Sequence, residues 1–141
     1  MKQEYKELLL RDLCGRLQYG VKAYIKKGSK LDRKYYEWVY TVESIDTSLN
    51  TIIADPERSC VEVIVGYDDS EIKPYLFPMS SMTEEQKVIY GDLCYSIIQS
   101  LAKNMQSELN ELINWLNAHH FDYRGLIEKG LAIDATNLNI Y

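Results

Sequence analysis

The 141 residues are 46% hydrophobic and 26% charged, a globular balance that excludes wholesale disorder. A chain of this length buries roughly two-thirds of its unfolded surface without a metal or disulfide staple, and its net charge of −5 argues against generic polyanion binding, which runs on Lys and Arg releasing counterions from phosphates. Cys14, Cys60 and Cys94 are odd in number and far apart, and no apolar run approaches the ~20 residues of a membrane helix, so reduced thiols, a cytoplasmic location and no membrane insertion are expected.

Residues 3–17, "QEYKELLLRDLCGRL", space Tyr5, Leu9, Leu13 and Leu17 four apart with Leu10 and Cys14 beside them, which predicts a helix with one apolar stripe. Gly15 weakens its end and Gly20 closes the connection. The period then changes to two: Val21, Ala23 and Ile25 alternate with Lys22, Tyr24 and Lys26, the pattern of a strand with one wet face. After the polar loop "GSKLDRK", the run "YYEWVYTVESID" is rich in aromatic and β-branched residues and predicts a second strand. The segment "TSLN" is a turn, "TIIA" a short buried strand, "DPERS" another turn, and "CVEVIVGY" a strand with Val61, Val63, Val65 and Tyr67 on one face. The stretch "EIKPYLFP" supplies a last short strand able to pair back to the first, because closure removes exposed edges.

Thr83 followed by Gln86 is a capping box, and Glu84 and Glu85 sit at the positive end of the helix it opens, so this acid pair has a structural reason to exist. Apolar residues then recur every three or four positions from Ile89 to Leu116. One helix of that length is unusual in a globular domain, so a break is expected at Gly91-Asp92 or near Asn104, giving two antiparallel helices. The fold class is therefore α+β: a helix over 1–18, a small SH3-like or Tudor-like barrel or curled antiparallel sheet over 19–78, and a helical region over 79–141 packed on it as one unit. An open twisted sheet packed on the first helix gives the same pattern.

The only two histidines, His119 and His120, fall where the apolar periodicity stops, and an imidazole is a favourable neighbour for the unpaired carbonyls of a helix end. Adjacent helical side chains point about 100° apart, so this pair does not clasp one metal ion; i, i+4 spacing does that. Asp122 reads as the cap of a further short helix, "YRGLIEK", stopped by Gly130. Helix end and interhelical packing therefore outweigh partner contact, and catalysis comes last. With no Gly-rich phosphate loop, nucleophile elbow or metal motif, and with Asp68-Asp69 in an ordinary turn, no catalytic residue, metal or cofactor is expected.

Three segments, "YKELLLRDLCGRLQYGVKAYI", "EIKPYLFPMSSMTEEQ" and "WLNAHHFDYRGLIEKGLAIDA", resemble an uncharacterised family of small proteins from gut Bacteroidales genomes and their phages and prophages, in which such segments flank variable inserts. The match covers about 60 residues. Relatives often carry proline at the position of Gln18 and a longer, proline-containing tail after "GLA", where this chain has "TNLNIY". The resemblance implies a mobile-element or phage context and a cytoplasmic host location; it carries no activity or site residue over to this chain.

Two functional readings lead. Eight of twelve tyrosines lie in residues 1–82, and tyrosine is enriched at interfaces, which favours a module that binds a host or phage protein. From Lys22 to Lys34 six bases (Lys22, Lys26, Lys27, Lys30, Arg33, Lys34) meet one acid, Asp32, which allows a nucleic-acid contact with aromatics stacking on bases. Candidate contact residues are Lys22, Tyr24, Lys26, Lys27, Arg33, Lys34 and Tyr36 in that stretch, and His120, Tyr123 and Arg124 after the helices. An enzyme of unknown type ranks third. The oligomeric state is left open: leftover apolar surface on the helices allows a dimer seam, but the sequence does not favour one.

Overall fold

A computed structural model describes residues 1–28, 35–55, 61–66, 70–100 and 104–141, the side chains of 28, 35–37 and 55 excepted. Helix α1 (Gln3–Arg16) runs into a 3-10 turn, Leu17–Tyr19, and ends at Gly20, whose φ of 67° is the left-handed conformation that a glycine adopts without a Cβ penalty. The expected stripe is present in Leu9, Leu10 and Leu13, all buried, with Tyr5 and Leu17 packed at its margin. Cys14 departs from it and is exposed. The positions that share the buried face are instead Asp12 and Arg16.

Strands β1 (Lys22–Gly28), β2 (Tyr35–Asp46), β3 (Thr51–Asp55) and β4 (Val61–Ile64) form an antiparallel meander, and β5 (Glu71–Leu76) returns to pair antiparallel with β1, as the sequence predicts. The alternation reads correctly: Val21, Ala23 and Ile25 are fully buried, as are Val63 and Val65. Strand β2 is long enough to serve two partners, its first half pairing with β1 and its second half with β3, with an irregularity between Val42 and Ser44 where the register shifts. Lys27 Nζ at the end of β1 donates to the carbonyl of Glu62 in β4 at 2.7 Å. In a flat sheet those strands lie three spacings apart, roughly 14 Å and beyond the reach of a lysine, so the sheet is curled.

Curling stops short of closure. The six-stranded order is β4-β3-β2-β1-β5-β6, with β6 (Ile133–Asp134) pairing parallel to β5 at the far edge, so the expected barrel does not form and the sheet is open and mixed. The physical reason lies in β5: one of its sides is taken by β1, and the other is used by chain arriving after the helices, not by β4. The concave side is filled by α1, whose Leu9 and Leu13 pack with Ile25, Val42, Ile52, Val63 and Leu76, and by Leu126 from the C-terminal segment.

The capping box forms: Gln86 N–H donates to Thr83 Oγ1, and Thr83 N–H donates to Gln86 Oε1. Helix α2 (Glu84–Gln99) and helix α3 (Met105–Ala118) are joined by a short connection and pack together, so they run antiparallel; the break falls before Asn104 and Gly91 lies inside α2. The predicted helix over 123–129 is absent. That stretch is a run of turns, with both Asp122 carboxylate oxygens accepting from Leu126 N–H and Ile127 N–H at 2.8 Å, so the cap forms without a helix to follow. Gly125 and Gly130 both take positive φ, which interrupts helical geometry every few residues. Among the described residues no helix is long and apolar enough to cross a membrane. The calls on Cys60, Tyr67, Asp68-Asp69 and "PERS" lie outside the described residues.

Candidate functional site

Beyond β5 the chain continues as Phe77, whose N–H donates to His120 O (2.9 Å) and whose carbonyl accepts from Asp122 N–H (2.8 Å). This pairing fixes the histidine segment to the edge of the sheet. Helix α3 ends there in a two-bond cap, Phe121 N–H to Leu116 O and His120 N–H to Asn117 O, with His120 in the left-handed conformation at φ 58°. In that motif the residue after the left-handed one packs back on the helix, and Phe121 and Leu116 are buried in one cluster with Met82. His119 Nδ1 bonds to Trp115 O at 2.9 Å, holding its ring beside the indole. Both imidazoles thus sit at the helix end, one binding a terminal carbonyl and the other marking the chain reversal.

Behind the cap lies a buried polar centre. Arg16 Nε donates to Asp12 Oδ2 (2.8 Å) and Arg16 Nη2 to Asp12 Oδ1 (3.0 Å), with both side chains fully buried. Arg16 Nη2 also reaches Phe121 O at 2.7 Å, and Arg124 Nη1 donates to Asp12 Oδ1 at 2.9 Å. One carboxylate therefore faces two guanidinium groups from opposite ends of the chain. The Arg124 guanidinium lies over the Tyr123 ring, 4.5 Å from its centroid, and Tyr123 Oη donates to Asn117 Oδ1. Gly15 faces the Asn117 side chain closely: a Cβ there would fall 3.2 Å from the amide nitrogen, a tight contact that asks Asn117 to shift by a few tenths of an ångström.

The last residue covers this centre. The Tyr141 ring stacks on His120 at 3.8 Å between centroids, the two planes nearly parallel. Its hydroxyl accepts from Lys22 N–H (3.0 Å) and donates to Tyr75 O (2.9 Å), and Lys22 Nζ donates to Ile140 O. Burial pushes the Tyr141 phenol up to about 12. His120, 7% exposed, is depressed to about 4, first by burial and then by the Arg16 and His119 charges, with Asp12 opposing. It is neutral at pH 7. Among the described residues, its Nδ1 and Arg16 Nη1 are the buried side-chain polar atoms without a hydrogen-bond partner.

Two grooves flank the segment. One, of about 450 Å³, is lined by Phe77, Thr83, Gln86, His119, His120 and Tyr141; the other, of about 500 Å³, by Met79, Tyr90, Asp122, Tyr123 and Glu128 among others. The first groove also carries Ser81, and its two hydroxyls are engaged with the backbone: Ser81 Oγ donates to Pro78 O and Thr83 Oγ1 accepts from Gln86 N–H. Burial raises the Cys14 thiol, the direction opposite to an activated thiolate. Among the described residues no group of three His, Cys, Asp or Glu side chains is placed to hold a metal ion.

Of the candidate contact residues, the structure gathers Lys22, His120, Tyr123 and Arg124 around this centre, Lys22, Tyr123 and Arg124 through side-chain hydrogen bonds and His120 by stacking on Tyr141. Tyr24 and Lys26 lie half-buried on β1 and engage neighbours, and Lys27 spans to β4. Arg33 and Lys34, with Lys30, lie outside the described residues, as does the Tyr36 side chain. Asp12, Arg16, Tyr75 and Tyr141 are the residues that sequence reasoning missed. For the first two a signal exists: an acid and a base at i, i+4 within one turn of the Leu9–Leu13 stripe. For Tyr141 none does. Trp38 was also passed over; it stands opposite Ile25 on β2 with 68% of its surface exposed. Comparison with protein-family models, curated proteins and solved structures finds no match to this chain.

Proposed function

We propose that this protein is a non-enzymatic interaction module of a phage or mobile element that works in the cytoplasm and binds a host or phage protein. The observation that carries the reading is Trp38. Its cross-strand partner Ile25 is fully buried, yet the indole is 68% exposed, so the register that should bury it leaves it in solvent. Tryptophan is the residue most enriched among binding hot spots, because one rigid ring supplies a large apolar area at little entropic cost. The other tryptophan, Trp115, packs against Phe121 and His119 and illustrates what an indole does when it serves the core.

The partner surface implied is an apolar pocket. By sequence alone the connection between β1 and β2 adds Lys30, Arg33 and Lys34, bases of a kind that steer encounter with an acidic partner more than they add affinity. Nucleic acid is the alternative occupant, and it is the weaker reading because Lys22 and Lys27 both donate to backbone carbonyls of the protein itself.

The test is capture of the tagged protein from its host, with proteins and nucleic acids both identified, for wild type and Trp38→Ala. A partner protein lost by at least tenfold in the variant, at an unchanged unfolding midpoint, is the expected result. Retention on DNA or RNA at low salt, falling steeply as salt rises, replaces this reading with the nucleic-acid one.

A further inference from the structure

Helix α2 buries none of its sixteen residues fully. The side that meets α3 and the second core cluster is half-buried, at Gln86, Tyr90, Leu93, Cys94 and Ile97. The opposite side carries Val88, Gly91, Tyr95 and Ile98, spaced i, i+3, i+7, i+10. That is the spacing of a helix-to-helix seam, in which alternate steps of three and four keep one stripe facing a partner. Val88, Tyr95 and Ile98 are 62%, 63% and 76% exposed, and a Cβ built on Gly91 meets nothing within 4 Å. Helix α2 therefore has two apolar sides, of which the described residues cover one.

We propose that the uncovered side pairs with α2 of a second copy of this chain, antiparallel about a two-fold axis. The stripe is complementary to itself in that orientation. With residue 93 at the axis, Val88 stands opposite Ile98 of the second copy, and Gly91 stands opposite its Tyr95. The ring of one copy drops into the gap that the glycine of the other leaves, twice over, as an isologous interface requires. A parallel arrangement sets Tyr95 against Tyr95 and glycine against glycine, which leaves a clash and a hole.

Area sets the strength. Val88, Tyr95 and Ile98 together present roughly 350 Å² per copy, so even with the flanking polar groups a symmetric pairing stays at or below about 1,000 Å², the size of a weak, transient contact. The dimer is accordingly reversible, with a dissociation constant in the micromolar range. It uses a face on a different element from Trp38 and stands or falls independently of it.

The experiment is sedimentation velocity on the full chain from about 5 to about 300 µM, for wild type, Ile98→Lys and Gly91→Leu. Both positions are exposed, so both variants keep the fold. Gly91→Leu also raises the melting temperature of dilute monomer, because leucine is the better helix former, while it fills the gap that Tyr95 of the second copy needs. The expected result is a concentration-dependent dimer that each substitution weakens at least tenfold. A wild type still monomeric at about 300 µM, or a dimer that either substitution leaves unmoved, overturns the proposal.

Discussion

At Asp12 a single carboxylate balances Arg16 and Arg124, and its removal strands a fully buried guanidinium. A buried pair adds little net stability over apolar packing, but breaking one half of it costs about 3–5 kcal/mol, because the remaining charge keeps its desolvation penalty and loses its counterion. Asp12→Ala is therefore expected to lower unfolding stability by that amount in urea titration. His120 gives a second expectation. Its folded pKa of about 4 lies below the ordinary value of 6.5, so between those values the unfolded chain binds the proton that the folded protein refuses. Stability is then unaffected above pH 6.5, falls as pH drops through the interval, and has lost about 3 kcal/mol from this group once pH is below 4. Asparagine tolerates the left-handed backbone at 120, so His120→Asn should fold and flatten the stability profile between pH 6.5 and 4.5. The histidine pair was legible as a helix end because spacing alone decides it. The Asp12–Arg16 pair was not singled out because a stripe read from apolar residues passes over the polar residues that share its face.

Elements were legible where one physical signal dominates. The run from Tyr35 to Asp46 is a strand over those same residues, because aromatic and β-branched side chains crowd a helix and fit a pleat. The capping box formed because its two bonds are local to four residues. Its contribution is correspondingly local: Thr83→Ala should cost about 1 kcal/mol of helix stability. Since α2 buries no residue fully, that loss should appear as faster amide exchange over 86–90 with no change at β1. Two elements escaped the sequence. Strand β6 is two residues long and owes its existence to β5, not to its own composition. The turns over 123–129 replaced a predicted helix because Asp122 finds its donors at Leu126 and Ile127, four and five residues on, and glycines at 125 and 130 take positive φ.

For the molecule as a whole, class was legible and topology only in part. Pairing of β5 with β1 follows from the need to cover an edge, whereas closure was lost to a competitor that lies sixty residues downstream and carries no strand signature. The same long-range contacts place the site: Phe77 holds His120 and Asp122, α1 supplies Asp12 and Arg16, and Tyr141 closes over them from the end of the chain. Of the residues that look like chemistry in sequence, His119 binds the carbonyl of Trp115, and His120 and Asp122 tie the helix end to Phe77 and the C-terminal turns. Among the described residues, Trp38 and three apolar side chains along α2, Val88, Tyr95 and Ile98, are each more than 60% exposed. The most direct measurement compares partner capture by His120→Asn and Trp38→Ala at matched unfolding midpoints. The account predicts that the interior histidine variant keeps the partner and the exposed tryptophan variant loses it; capture abolished by His120→Asn and undiminished by Trp38→Ala contradicts it.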